Sequence, residues 1–455
     1  MEMKPAISVV AIMVIAQLAH NLSHTVATIS HPTTTTTPNA SLAGFSLELL
    51  AADPEALGHA VVRRGSDGFL HLQSFRTNLD RANSSAANAA AIATPRPDMM
   101  LNRPLLSAYI TVGTGRGTQV YLFKVDPSST MTWMQCKGCN PHSPQEGPLF
   151  DTAASPTFHN VLGSDPYCQP PFRSVLSGQA CAFQVTGPGS MSVEGYLGHD
   201  QLIHDGNVHQ LVHFGCAHKA IHFQNINRFA GVIGVANLAR GLTRFSYCLF
   251  ADGEATRQGF LRFGTDVPPN LHYRSTRILP VHGAHESGHY VSLVGVSVGV
   301  RRLGEIRPET FAHHEDGQGG CVIDLDTPLM VLAQEAYDVV EEAVWSDLRR
   351  HGAERVKRPG YGLCVRASEV VMRRHLPSMS LHFAEEEAVL VVSPEQLFFM
   401  VDDEQVRVAC LAVMPGRRTV IGALQQVDTR FIFDLKDSKL SFAPESCIQD
   451  SVEAA

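Results

Sequence analysis

Two distant stretches of the chain share one pattern. Lys124-Val125-Asp126-Pro127-Ser128-Ser129 and Cys321-Val322-Ile323-Asp324-Leu325-Asp326-Thr327 each run from apolar residues to an aspartate, then into a short turn that ends in a hydroxyl residue. Each aspartate follows a β-branched run that predicts a strand. Two carboxylates brought together cannot both ionise, because like charges at close range repel, so the pair holds one proton between them. One member can then take a proton from water while the other gives a proton away, which is the chemistry of hydrolysis. Asp126 and Asp324 are therefore the candidate acid/base pair.

The surrounding elements must deliver those aspartates. Tyr109–Val112 and Val120–Val125, separated by the turn-rich Gly113-Thr114-Gly115-Arg116-Gly117, predict a hairpin that ends at Asp126. Phe183–Thr186 and Met191–Leu197 predict a second strand-turn-strand around Gly187-Pro188-Gly189-Ser190. Short apolar runs at 212–216, 231–235 and 245–249 predict buried strands, and the run 290–300 leads towards Asp324. The apolar stripe Val339, Val340, Ala343, Val344 and Leu348 predicts a helix over 334–350, stopped by Gly352. Val232-Ile233-Gly234 returns as Val420-Ile421-Gly422 at a similar distance beyond each aspartate. The chain thus reads as a duplicated β-lobe with one aspartate loop per copy, which is what a two-fold cleft needs.

Composition bounds the partners. The 455 residues carry a net charge of −8 with histidine neutral, 44% hydrophobic and 18% charged residues. No basic stripe points to nucleic acid. Lys4 followed by the apolar run Ala6–Ala19 has signal-peptide anatomy and is shorter than a membrane span. An exported chain folds in an oxidising compartment, so its ten cysteines read as disulfide formers; zinc at Cys136-x-x-Cys139 is the lesser alternative. Thr33–Thr37 is a low-complexity linker, and 74–91 reads as an alanine-rich helix. Pro95, Pro97 and Pro104 then set this N-terminal segment apart from the rest of the chain. Asn39 and Asn83 head glycosylation sequons. His282, His285 and His289, and His204, His209 and His213, read as surface histidines of a His-rich chain rather than as a metal site. No glycine-rich segment carries the Lys and Ser/Thr of a phosphate loop.

Trp133-Met134-Gln135-Cys136-Lys137-Gly138-Cys139, Phe214-Gly215-Cys216, Ala230-Gly231-Val232-Ile233-Gly234, Phe245-Ser246-Tyr247-Cys248-Leu249 and Ile421-Gly422 with Gln425-Gln426 occur in an order that resembles plant pepsin-like aspartic proteases of the nepenthesin type. The resemblance implies an all-β, bilobal fold with a few short helices. It implies a signal peptide over 1–19, a propeptide and linker over 20–104, an N-terminal lobe with a Cys-rich insert over 105–270, and a C-terminal lobe over 271–455. Asp126 and Asp324 match the catalytic aspartates, Ser129 and Thr327 the hydroxyls that orient them, and Gly187, Gly189 and Ser190 the flap. Cys136, Cys139, Cys168, Cys181, Cys216, Cys248, Cys364, Cys410 and Cys447 are the disulfide candidates. The implied protein is a secreted or vacuolar monomer that cleaves polypeptides at acidic pH, with no metal or organic cofactor and no membrane attachment after signal cleavage.

The active-site loops depart from that pattern. Asp-Thr-Gly-Ser is replaced by Asp126-Pro127-Ser128-Ser129, and Asp-Ser/Thr-Gly-Thr by Asp324-Leu325-Asp326-Thr327. Both glycines are gone, as is the threonine whose hydroxyl ties the loops together. Asp326 adds a third carboxylate. The flap has no tyrosine, Gly163 stands where a cysteine is expected, and Cys321 has no counterpart. A second reading therefore stands beside hydrolysis: a pepsin-fold protein that binds or inhibits in its cleft, as xylanase inhibitors of this fold do.

Overall fold

The computed structural model describes residues 106–449, apart from short loop segments, and three strands upstream, Phe45–Leu50, Val61–Arg64 and Leu70–Gln73. The expected helix over 74–91 and the sequons at Asn39 and Asn83 lie outside the described residues. The fold is all-β and bilobal, as expected.

Each lobe is built on one repeated motif. In the first, Ser107–Val112 pairs antiparallel with Gln119–Asp126 as the predicted hairpin. Gln119–Asp126 lies parallel to Gly231–Gly234, with Asp126 opposite Gly234. Gly231–Gly234 also pairs antiparallel with Trp133–Gln135, so the later strand fills the gap that opens where the chain turns back after Asp126. In the second lobe Cys321–Ile323 lies parallel to Thr419–Ile421, which pairs antiparallel with Met330–Ala333. The outer neighbours match too: Val208–Ile221 runs parallel to Trp133–Gln135, and Val413–Gly416 parallel to Met330–Ala333. The inserted strands, Val232-Ile233 and Val420-Ile421, are apolar and buried, as parallel strands covered on both sides should be.

The glycines that end the inserted strands are sterically required. A Cβ on Gly234 would stand 2.7 Å from carbonyl atoms of Ser129 and Met131, and one on Gly422 would stand 2.5 Å from Leu329 and 2.7 Å from Thr327. Ser129 and Met131 follow Asp126 by three and five residues; Thr327 and Leu329 follow Asp324 by the same steps. The duplication therefore holds at the level of backbone contacts around each aspartate.

A six-stranded antiparallel sheet joins the lobes. Its order is Phe45–Leu50, Arg257–Phe263, Arg244–Leu249, Thr429–Asp434, Lys439–Pro444, Arg274–Leu279. Phe245 stacks on Phe433 at 4.5 Å and Tyr247 on Phe431 at 5.6 Å, so the seam between the halves is aromatic and buried. The segment expected to be a propeptide contributes to both lobes. Phe45–Leu50 pairs with Arg257–Phe263 and, through Leu50, with Ser107, and Leu70–Gln73 pairs in parallel with Phe398–Asp403. The predicted helix spans Gln334–Arg350 and buries Ala336, Tyr337, Val340, Ala343, Val344 and Leu348. Its last turn closes through Gly352 at φ 82°, with N–H groups of Gly352 and Ala353 returning to the carbonyls of Arg349 and Leu348.

Four disulfides form: Cys136–Cys216, Cys168–Cys181, Cys248–Cys447 and Cys364–Cys410. Cys139 is a correction to the candidate set. It is a buried free thiol that donates to the Pro141 carbonyl at 3.5 Å, and burial pushes its pKa up to about 11. Position 163, where a partnering cysteine is expected, holds a glycine bonded through its N–H to Gln179. Cys321 is free and buried in the other lobe. Non-reducing peptide mapping should recover these four pairs. Cys139 and Cys321 should resist alkylation until the protein is unfolded, and then account for two thiols. Rapid labelling of either in the native protein contradicts this placement.

Candidate active site

The two aspartates are held differently. The Ser129 N–H donates to Asp126 Oδ1 at 3.1 Å. The Ser129 hydroxyl turns away, donating to the Met131 carbonyl at 3.1 Å and accepting the Met131 N–H. Around Asp324, the Thr327 hydroxyl donates to Oδ2 at 2.5 Å and the Asp326 N–H to Oδ1 at 3.0 Å. Thr327 thus stands where an orienting hydroxyl is expected, while Ser129 acts through its backbone. Asp324 is braced from behind: Gln426 Nε2 donates to the Asp324 carbonyl at 3.1 Å and to that of Ile421 at 2.8 Å. Tyr247, in the interlobe sheet, donates its hydroxyl to Gln426 Oε1 at 2.6 Å. Burial, and then the Asp324 charge, push the Tyr247 phenol well above its ordinary range, which keeps it a donor.

Asp326 points inward. Its carboxylate accepts a short hydrogen bond from the Lys124 ammonium, an ion pair that reaches from the strand of Asp126 to the loop of Asp324. Lys124 and Asp126, two residues apart on one strand, project to the same face. Burial raises the Asp326 pKa to about 6; Lys124 opposes this, and Asp126 and Asp324 both add to it. All three carboxyl groups therefore lie in one electrostatic neighbourhood, with Lys124 as its counter-charge.

His289 is a second correction. It is buried rather than at the surface, with its ring centroid 4.6 Å from that of Phe433 and 5.8 Å from that of Phe245. Its Nε2–H donates to the Pro127 carbonyl at 3.1 Å, since a carbonyl can only accept. Burial pushes the imidazole down to about 4, against the opposing pull of that bond and of Asp126. His289 lies on the strand beside Cys321–Ile323, opposite Ile323, so this bond ties the Asp126 loop to the second lobe.

The flap hairpin pairs Ala182–Gly187 with Met191–His204, and Gly187 faces Met191 in register. Pro188, Gly189 and Ser190 at its tip lie outside the described residues, as do Ser128, His282 and His285. Among the described residues no group of three His, Cys, Asp or Glu side chains is placed to hold a metal ion. His159, His199 and His213 do lie side by side on neighbouring strands, with adjacent ring centroids 5.3 Å apart.

Sequence reasoning missed Lys124, His289, Gln426 and Tyr247 as parts of the site. Lys124 left a signal. It interrupts an apolar strand two residues before one aspartate, and Asp326 is an unexpected charge two residues after the other. Two charges in buried settings are costly unless they meet. His289 left no comparable sign.

Comparison with known proteins gives a consistent picture. Residues 109–265 match the xylanase inhibitor N-terminal family model and residues 288–444 the xylanase inhibitor C-terminal model. The chain is similar to aspartyl protease family protein 2 of Arabidopsis thaliana, 27% identical over 74% of this chain and 70% of that protein. It is also similar to aspartic proteinase nepenthesin-2 of Nepenthes gracilis, 24% identical over 71% and 74%. Among solved structures it superposes on edgp (TM-score 0.58, 18% identity, 76% of this chain and 92% of that one). It superposes likewise on basic 7S globulin from soybean (0.56, 21%, 75% and 94%), and these two likenesses speak to the fold alone. The two-lobed β-fold, the duplicated aspartate motif and the matches across both halves show that the chain belongs to the plant pepsin-like aspartic protease family with xylanase-inhibitor N- and C-terminal domains.

Proposed function

We propose that the chain is an aspartic endopeptidase of low turnover that acts on polypeptides in the interlobe cleft at acidic pH. The observation that carries this reading is the equivalence of Asp126 and Asp324. Each ends one strand of the same parallel pair, beside a glycine that the loop needs, and each accepts a hydrogen bond that orients its carboxyl. In the proposed reaction the ionised aspartate takes a proton from water while the protonated one donates to the scissile carbonyl oxygen. Low turnover follows from the loops: Pro127 and Leu325 supply no hydroxyl, and a small misplacement of catalytic groups costs on the order of 100-fold. Four disulfides and the apolar leader favour export to the apoplast or vacuole. Among the described residues no helix is long and apolar enough to cross a membrane.

A second reading has its own support. The family models take their description from xylanase inhibitors, and Asp326, paired with Lys124, stands where the family pattern has a glycine. That favours a cleft kept for binding rather than cutting.

Asp326 also sets a pH dependence. Its folded pKa, about 6, lies above the ordinary carboxyl value near 3.9, so the folded protein holds this proton more tightly than the unfolded chain. The stability this contributes is fully present below about pH 4 and is lost as pH rises through about 6. Asp326→Asn should therefore flatten the dependence of thermal stability on pH between 4 and 7, by on the order of 2 kcal/mol. An unchanged slope contradicts the placement of this carboxyl.

The functional readings separate in one assay. Purified full-length protein should hydrolyse an unfolded substrate between about pH 3 and 6, and Asp126→Asn with Asp324→Asn should abolish it. Restoring the glycine of the first loop alone, Ser128→Gly, should raise the rate, by up to ~100-fold. Folded protein that cuts nothing across this range rules out the enzyme and leaves the binding protein.

A further inference from the structure

In the pattern that this family resembles, a threonine hydroxyl ties the two aspartate loops together. Here Pro127 and Leu325 leave neither loop with a hydroxyl beside its aspartate. Two other bonds cross the gap. One is His289 to the Pro127 carbonyl. The other joins Lys124, two residues before Asp126, to Asp326, two residues after Asp324, and these partners are 202 residues apart in the chain. Both side chains of the ion pair are largely withdrawn from solvent, 16% and 28% exposed. Without Lys124, Asp326 would be a third carboxyl beside two others in a largely buried setting.

We propose that Lys124 and Asp326 form an interlobe clasp that replaces the missing hydroxyl tie, fixes the placement of the two aspartate loops, and slackens in acid. The groups facing the Asp326 carboxyl are Lys124 and Asp126 from the Gln119–Asp126 strand and Asp324 from its own loop. His289 faces Asp126 from the neighbouring strand and is neutral above about pH 4, so it does not supply the counter-charge. With Asp326 ionised, the clasp is a full ion pair between Lys124 and Asp326. Once Asp326 takes a proton, only a charge-to-neutral hydrogen bond remains, and Asp126 and Asp324 are left as a two-carboxylate pair. The clasp itself does not depend on whether the protein cuts peptides. Its effect on the dyad rests on the proteolytic reading, where Lys124 and Asp326 are positioning residues.

The test is a double-mutant cycle in the full chain: Lys124→Met, Asp326→Asn and both together, with unfolding equilibria measured at pH 7 and pH 4. At pH 7 Lys124→Met should lower the folding equilibrium constant by ~10-fold in the wild-type background and by less than ~3-fold in the Asp326→Asn background. At pH 4 the coupling should shrink to within about twofold. Lys124→Arg should keep most of the coupling. Additive losses at pH 7, or an equal coupling at both pH values, would overturn the clasp. If a single variant does not fold, the exchanged chain, Lys124→Asp with Asp326→Lys, decides: recovered folding supports the clasp and its failure overturns it. On the same proteins, Lys124→Met should reduce kcat more than it changes KM, and more at pH 6 than at pH 4. A wild-type protein with no peptidase activity defeats the proteolytic reading while the stability cycle still decides the clasp.

Discussion

Carboxylates repel one another when they are brought together out of water, and this site gathers three. At an effective dielectric constant near 20, two unit charges 4 Å apart interact by about 4 kcal/mol, comparable to a large share of a domain's net stability. The structure meets that repulsion with specific donors. Asp324 receives the Thr327 hydroxyl and the Asp326 N–H; Asp126 receives the Ser129 N–H; Asp326 receives the Lys124 ammonium. Remaining strain is relieved by protonation, and it falls on Asp326, whose pKa rises despite its lysine partner because burial and two like charges together outweigh one opposite charge.

The scaffold that imposes this crowding is insensitive to the sequence of the loops themselves. Gly234 and Gly422 leave room for the carbonyls that come after each aspartate, and those contacts repeat at the same offsets in both lobes. Substitution at Pro127, Ser128, Leu325 or Asp326 touches none of them. The loop residues could therefore diverge without loss of the framework, whereas a side chain at 234 or 422 would collide with backbone. Burial of Leu325 shows one such replacement absorbed as core packing, in a position where the family pattern has a hydroxyl.

Legibility in the chain tracks the range of the interactions involved. The hairpin ending at Asp126, the helix Gln334–Arg350 and the inserted strands were legible because periodicity and apolar runs are local. The duplication was legible because its marker, apolar-apolar-Gly, recurs. The disulfide partners, the Lys124–Asp326 pair and the burial of His289 were not, since each depends on which distant segments meet. Cys139 shows the limit in miniature: its Cys-x-x-Cys spacing promises a bond, yet only Cys136 finds a partner, eighty residues on. His289 sits in a His-rich stretch whose composition suggests solvent, and only the pairing of its strand against Cys321–Ile323 carries it into the seam between Phe245 and Phe433.

The same chemistry separates the two functional readings. A pair of carboxylates sharing one proton can move protons through water; with Asp326 ionised, a third carboxylate beside that pair is held by the Lys124 ammonium. In this site the protonation of Asp326 converts one into the other, and the conversion lies in the mildly acidic range. An enzyme confined to an acidic compartment would work with the clasp slackened and the pair intact. At neutral pH the ion pair links the strand of Asp126 to the loop of Asp324. How firmly Lys124 keeps Asp326 ionised sets which of these two states the site holds at a given pH.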